Sequence, residues 1–181
     1  MVGESHTSPR VPALTLRRGG PGDADWLLAR FDEAIAWMVA RGQGGQWGTE
    51  PMSASARGRA RVEEFCACGG LRIAALDGED AGALVVGEHP EHVAPVDRPE
   101  LYIELLLVAR GHAGRGLGAW LVDCALAEAR AGGVALVRVD CWAGAPSLVA
   151  WYEARGFRRA GRFTVRPRDR EWVGQVFARE L

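Results

Sequence analysis

The chain has 181 residues, about one domain's length, with 48% hydrophobic side chains and a formal net charge of −1 from 22 basic and 23 acidic residues. That composition excludes a disordered polymer, and the balanced charge supplies no global field to draw the chain to nucleic acid. No apolar run is long enough to span a bilayer, and Met1 to Pro12 lacks an apolar signal core. The expected setting is therefore the cytoplasm, with no membrane partner and reduced thiols. Every basic residue is Arg, and Lys and Asn are both missing. We read that bias as the mark of a GC-rich bacterial genome.

Residues 1–12 read as a disordered tail and 13–181 as a single domain. Ala13 to Arg17 is a short strand, and Pro21-Gly22-Asp23 a turn with a helix-cap signal. Leu27, Phe31, Ile35 and Met38 recur at helical steps, so a helix is expected over Asp25 to Ala40. The glycines of Arg41 to Gly48 break it. Ser53 caps a second helix through Cys66, which Gly69-Gly70 stops. Leu71 to Leu76 and Ala81 to Val86 are strands joined by an Asp77-Gly78 turn. Pro90 to Pro99 is a loop. Leu101 to Val108 is almost wholly apolar, as in a central strand covered on both faces. Leu117 to Arg130 is a helix ended by Gly132-Gly133, and Val134 to Val139 another buried strand. Pro146 to Arg155 is a short helix between a first-turn Pro and a terminal Gly156. Phe157 to Val165 and Trp172 to Arg179 close the chain as a hairpin around Arg166 to Glu171. This order implies an α/β mixed sheet with one parallel strand pair and helices on both faces.

Cys124 and Cys141 lie in apolar segments and read as core thiols. Cys66-Ala67-Cys68 has no second cysteine pair to complete a metal site, and His89 and His92 sit in a loop, so no metal is expected. Trp26, Trp37, Trp120 and Trp151 read as core; Trp47 lies in the glycine-rich break, where an aromatic ring is available to a ligand.

The segment from Val108 to Gly118 carries the chemistry. Gly114, Gly116 and Gly118 alternate between an apolar strand and a helix start. Glycine lets backbone N–H groups turn toward a bulky anion, and the first helical turn adds unpaired amides and the positive dipole end. Arg110 and Arg115 add cations. The segment reads as a cradle for a pyrophosphate.

The element order, the strand end Leu106-Leu107-Val108 with its glycine loop, and Trp151-Tyr152-Glu153-Ala154-Arg155-Gly156-Phe157 together resemble the GNAT family of N-acetyltransferases. The resemblance covers almost the whole chain after the tail. It implies a mostly antiparallel seven-stranded sheet with one central parallel pair, which splays to admit a cofactor arm. It implies acetyl-CoA as acyl donor, a primary amine of a small molecule or peptide as acceptor, and a homodimer. Leu106, Leu107 and Val108 would pair with the pantetheine arm through their backbone, and Gly114, Arg115, Gly116, Leu117, Gly118 and Ala119 would hold the diphosphate. Two positions depart from the family pattern: Ala113, where Arg or Gln is usual, and Ala145, where Asn is frequent.

Acetyl transfer needs a neutral amine. An amine of pKa about 10.4 is neutral in roughly one molecule per few thousand at pH 7, an uphill step of about 4–5 kcal/mol. Glu104, the only charge inside the apolar strand, is the candidate base, against the alternative of an Arg pairing or a solvated position. Asp140 and Glu33 are the other carboxylates to consider. Tyr152 is the candidate acid for the departing sulfur, the role of the matching family tyrosine, against a plain packing role. The first two helices and the closing hairpin would shape the acceptor pocket, with Trp47 in its wall. Two other readings remain open: a non-catalytic acyl-CoA sensor, consistent with Ala113 and Ala145, and a dinucleotide-binding protein with Asp140 on the ribose.

Overall fold

The computed structural model describes residues 13–166 and 171–181; the tail expected over 1–12, and residues 167–170 of the last turn, lie outside the described residues. The strands are β1 (Leu14–Arg18), β2 (Leu71–Leu76), β3 (Glu79–Gly87), β4 (Leu101–Val108), β5 (Leu136–Trp142), β6 (Arg158–Val165) and β7 (Trp172–Glu180). The helices are α1 (Ala24–Val39), α2 (Ala56–Ala67), α3 (Leu117–Ala131) and α4 (Pro146–Glu153). The strands form one seven-stranded sheet in the order β1-β2-β3-β4-β5-β7-β6. Every neighbouring pair is antiparallel except β4 and β5. That parallel pair needs a crossover, and α3 provides it.

Local chemistry sets the turns. Asp77 (φ 53°) and Gly78 (φ 88°) both occupy the left-handed region, which suits the right-handed twist of the β2–β3 hairpin. The α2 cap is Ser55, whose Oγ accepts from the Gly58 amide at 3.0 Å, and not Ser53. Ser53 is displaced because Met52–Ala54 forms a tight turn that presses the Met52 carbonyl onto Gly58, where a Cβ would sit 2.2 Å from the oxygen. β5 runs to Trp142, past the expected end at Val139, because its register with β7 continues through Trp142 opposite Gly174.

The sheet separates two apolar layers. On one side Leu121, Val122, Ala125 and Leu126 of α3 and Val149 and Tyr152 of α4 pack on Leu84, Ile103, Val137, Val139 and Phe177. On the other, Leu27 and Phe31 of α1 and Val62 and Phe65 of α2 pack on Leu71, Ile73, Val85, Leu105 and Leu107.

Strand β4 contributes to both layers in an irregular way. Ile103 faces α3, whereas Leu105, which a regular strand would place beside it, faces α1 and α2. The register explains the switch: Val86 pairs with Ile103 and Val85 with Leu105, which leaves Glu104 as the extra residue of a β-bulge. The parallel pairing of β4 with β5 stops at the same place, at Ile103 opposite Val139. Beyond it β4 continues along β3 to Val108, and β5 along β7 to Trp142. The two central strands therefore part, and each has an unpaired edge facing the gap.

Candidate active site

The cradle begins later than residue 108. The Ala109 amide donates to the Ala81 carbonyl at 2.8 Å, and the Arg110 amide to Glu33 Oε2 at 3.2 Å. His112 and Ala113 close a tight turn onto the carbonyls of Ala109 and Arg110. The first helical bond runs from the Trp120 amide to the Gly116 carbonyl at 3.0 Å. Between them, the amides of Gly114, Arg115, Gly116, Leu117, Gly118 and Ala119 have no hydrogen-bond partner among the described residues. Gly114 (φ 78°) and Gly116 (φ 79°) hold left-handed conformations that L side chains rarely adopt. Such amides at the dipole-positive end of α3 make a binding site for an anion. Arg115 and Ala113 are exposed at its rim.

Tyr152 approaches the parted strands from the α4 side. Its side chain is 4% exposed, and its ring meets Trp151, Phe157 and Phe177 with centroids 5.0, 5.8 and 5.4 Å away. Its hydroxyl has no hydrogen-bond partner among the described residues. Burial pushes its pKa up, and the nearby Cys141 and Asp140 push it further. The phenol thus keeps its proton at any ordinary pH and is available as a donor.

Glu104 lies on the opposite side, toward α2. Its Oε2 is 3.5 Å from Arg61 Nη2, a long ion pair, and its Oε1 packs so close to Gly87 that a Cβ there would lie 2.7 Å from it. Burial raises its pKa above the ordinary carboxylate range, and Arg61 only partly offsets this. Glu104 thus has an arginine partner and a raised proton affinity. Asp140, the first β5 residue past the parallel pairing, accepts from the Tyr102 hydroxyl at 2.5 Å. Burial raises its pKa too, against the lowering effect of Tyr102 and His92. Glu33 instead serves the Arg110 amide and lies 3.5 Å from Arg30.

On the strand itself Leu107 is buried, while Leu106 and Val108 are half-buried and pack toward α3. Leu117 is buried beneath the helix start, and Gly118 and Ala119 are half-buried. The Arg110 guanidinium carbon lies 3.7 Å from the centre of the Trp37 ring, so the side chain extends toward α1. Trp47 is half-buried against Phe31, with ring centroids 5.0 Å apart, at the edge of the α1–α2 layer. The loop that carries it is pinned to the far ends of β5 and β7. Gln46 Oε1 accepts from the Trp142 amide at 3.0 Å, and the Gln46 carbonyl accepts from Trp172 Nε1 at 3.1 Å. Trp142 and Val39, with Gly42, Gly44, Gly45 and Thr49, line a cleft of about 240 Å³. The sequence did not place Trp142; its one trace was the Gly44-Gly45 pair, since a Cβ at Gly45 would meet the indole at 2.2 Å. Among the described residues no group of three His, Cys, Asp or Glu side chains could hold a metal ion, and no helix is long and apolar enough to cross a membrane.

The acetyltransferase (GNAT) family model matches residues 31–157, and the chain belongs to that family of acetyl-CoA-dependent acetyltransferases. Its fold is similar to that of a GCN5-related N-acetyltransferase from Rhodopseudomonas palustris, with a TM-score of 0.68 and 23% identity over 98% of this chain and 100% of that one. It is also similar to a ribosomal-protein-alanine N-acetyltransferase from Brucella melitensis, with a TM-score of 0.66 and 20% identity over 92% and 99% of the two chains. A Salmonella typhimurium acetyltransferase solved with its cofactor acetyl-CoA gives a TM-score of 0.64 and 17% identity over 93% and 94%. No curated protein matches the sequence. The site suits the cofactor on its own geometry: a run of unbonded amides for diphosphate oxygens opens beside a strand edge left without a partner.

Proposed function

We propose that the protein moves the acetyl group of acetyl-CoA to a primary amine of a small molecule or peptide. The observation that carries this reading is the bare amide run of Gly114 to Ala119, placed next to the point where β4 and β5 part. Acetyl-CoA supplies an activated acetyl thioester. Gly114, Arg115, Gly116, Leu117, Gly118 and Ala119 hold its diphosphate, while the Arg110 side chain lies instead on Trp37 of α1. The unpaired β4 edge at Leu106, Leu107 and Val108 orients the pantetheine arm through backbone groups. Glu104, made more basic by burial, takes a proton from the incoming ammonium at its carboxylate. Tyr152 keeps its proton at Oη and can donate a hydrogen bond to the departing thiolate. Full transfer runs uphill, because a thiol (reference pKa about 8.5) is a stronger acid than a phenol (about 10), so its part as the acid is to stabilise the sulfur as negative charge develops. The cleft under Trp142 and the loop carrying Trp47 stand on the acceptor side.

A thiol-release assay across small amines, amino acids, polyamines and peptides tests the reading. Release dependent on one class of amine is expected. Acetyl-CoA binding without release for any amine would leave a sensor, and overturn the transfer.

A further inference from the structure

The loop after β4 and the turn that follows α1 bring two arginines together. The Arg110 and Arg41 guanidinium carbons both lie over the Trp37 ring, at 3.7 and 4.3 Å from its centre. Neither guanidinium makes an ion pair or a hydrogen bond among the described residues. Arg110 Nε is buried and has no hydrogen-bond partner among the described residues. An unmet buried donor carries a desolvation cost, larger when the group is charged. Among the described residues, Glu33 on α1 is the acid whose charge reaches Arg110. Its carboxylate is already engaged, accepting from the Arg110 amide at 3.2 Å and facing Arg30 Nε at 3.5 Å. Burial and the charge of Arg41 both disfavour the Arg110 cation.

A stacked arginine has its ring-facing side occupied and its N–H fork free in the plane, the arrangement that grips a carboxylate or phosphate edge-on. The cluster adjoins the cleft of about 240 Å³: Val39 and Gly42, two of its lining residues, flank Arg41 in sequence. That volume suits a molecule of amino-acid size. The opposite wall is Trp142, two residues after Asp140. The arginine pair on Trp37 thus stands beside the α1 side of the cleft.

We infer that Arg41 and Arg110, stacked on Trp37, bind an anionic group on the acceptor itself, so that the acceptor is a small amine that also carries a carboxylate, phosphate or phosphonate. The inference rests on the transfer reading above and names its substrate class. The amine enters toward Glu104 and Asp140, and the anion stays at the α1 end, which fixes the molecule in one orientation.

Matched acceptor pairs test it: amino acids against their amides and their decarboxylated amines, in the wild type and in Arg41→Gln. Arg41 is exposed, so the substitution leaves the core intact. The acid member should show a KM at least tenfold below its amide. Arg41→Gln should reduce that preference about tenfold, through KM with little change in kcat, while the dissociation constant for acetyl-CoA measured by calorimetry stays within twofold. Equal KM values for acid and amide in the wild type would overturn the inference while leaving amine transfer intact. So would a tenfold loss of acetyl-CoA affinity in Arg41→Gln, which would assign the anion to the cofactor's phosphates. If no amine of either kind is acetylated, the transfer reading falls and this inference falls with it.

Discussion

Gly118→Ala separates the fold from the cradle. Gly118 is the second residue of α3, and its conformation is not left-handed. A Cβ built on it would lie 3.5 Å from Trp151 and 3.7 Å from Val108, ordinary contact distances that require no shift. The apo protein should therefore gain stability from the better helix former, by at most about 0.5–1 kcal/mol, or a rise of roughly 1–4 °C in Tm. The new methyl group projects into the space between the end of β4 and α4, beside the bare amides. If it displaces one charge-assisted hydrogen bond to the diphosphate, worth about 1.5–3 kcal/mol, acetyl-CoA binds about 10- to 150-fold more weakly. Calorimetry with acetyl-CoA measures this, and S-acetylpantetheine, which lacks the diphosphate, should show little difference between wild type and variant. The reasoning fails if acetyl-CoA affinity is unchanged, or if the apo protein melts lower than the wild type.

Tyr152→Phe keeps the ring contacts with Phe157 and Phe177 and removes only the unpartnered hydroxyl, so Tm should hold or rise while kcat falls by about 10²-fold; a wild-type kcat would reduce Tyr152 to a packing residue. For Glu104, the active form is the deprotonated one, so kcat/KM should rise with pH through a pKa above the usual carboxylate value. Glu104→Gln should lower the rate and abolish that limb of the pH profile; a profile unchanged in the variant assigns the titration elsewhere. Asp140 has its folded pKa raised by burial, so the native state binds the proton more tightly than the unfolded chain. Its contribution to stability is most favourable below the unfolded value of about 3.9 and is lost as pH rises through the folded value. Asp140→Asn, which can still accept from the Tyr102 hydroxyl, should flatten that decline in denaturant titrations between pH 4 and 7; an unaltered slope would contradict the assignment.

Much of the framework was legible in local sequence. Leu71–Leu76 and Leu101–Val108 end where their apolar runs end, and Asp77-Gly78 announces its own turn. What escaped is decided by distant partners. The bulge at Glu104 depends on how β4 registers against β3, and nothing within Leu101–Val108 marks the extra residue. The choice of Ser55 over Ser53 as cap depends on the Met52 carbonyl meeting Gly58. The last residues of β5 are set by β7 and by Gln46, nearly a hundred positions earlier in the chain. At the site, glycine spacing disclosed the cradle but not which amides the tight turn at Arg110–His112 consumes. Trp37 read as core from its helical spacing; its other use appears only when Arg110, 73 positions away, reaches its ring.

The irregularity at Glu104 also decouples the two ends of β4. Residues up to Ile103 keep phase with β5, while those from Leu105 onward follow β3 alone. Smoothing the bulge without shortening the chain, so that Glu104 took a regular place opposite Val85, would restore an even pleat and rotate everything from Leu105 to the glycine loop by half a turn, exchanging the inner and outer faces of the segment. Homologous chains should therefore tolerate wide variation in side chains there yet hold the residue count between Ile103 and Gly114 fixed, and designers who graft this segment into another scaffold need to transplant the irregularity together with the loop.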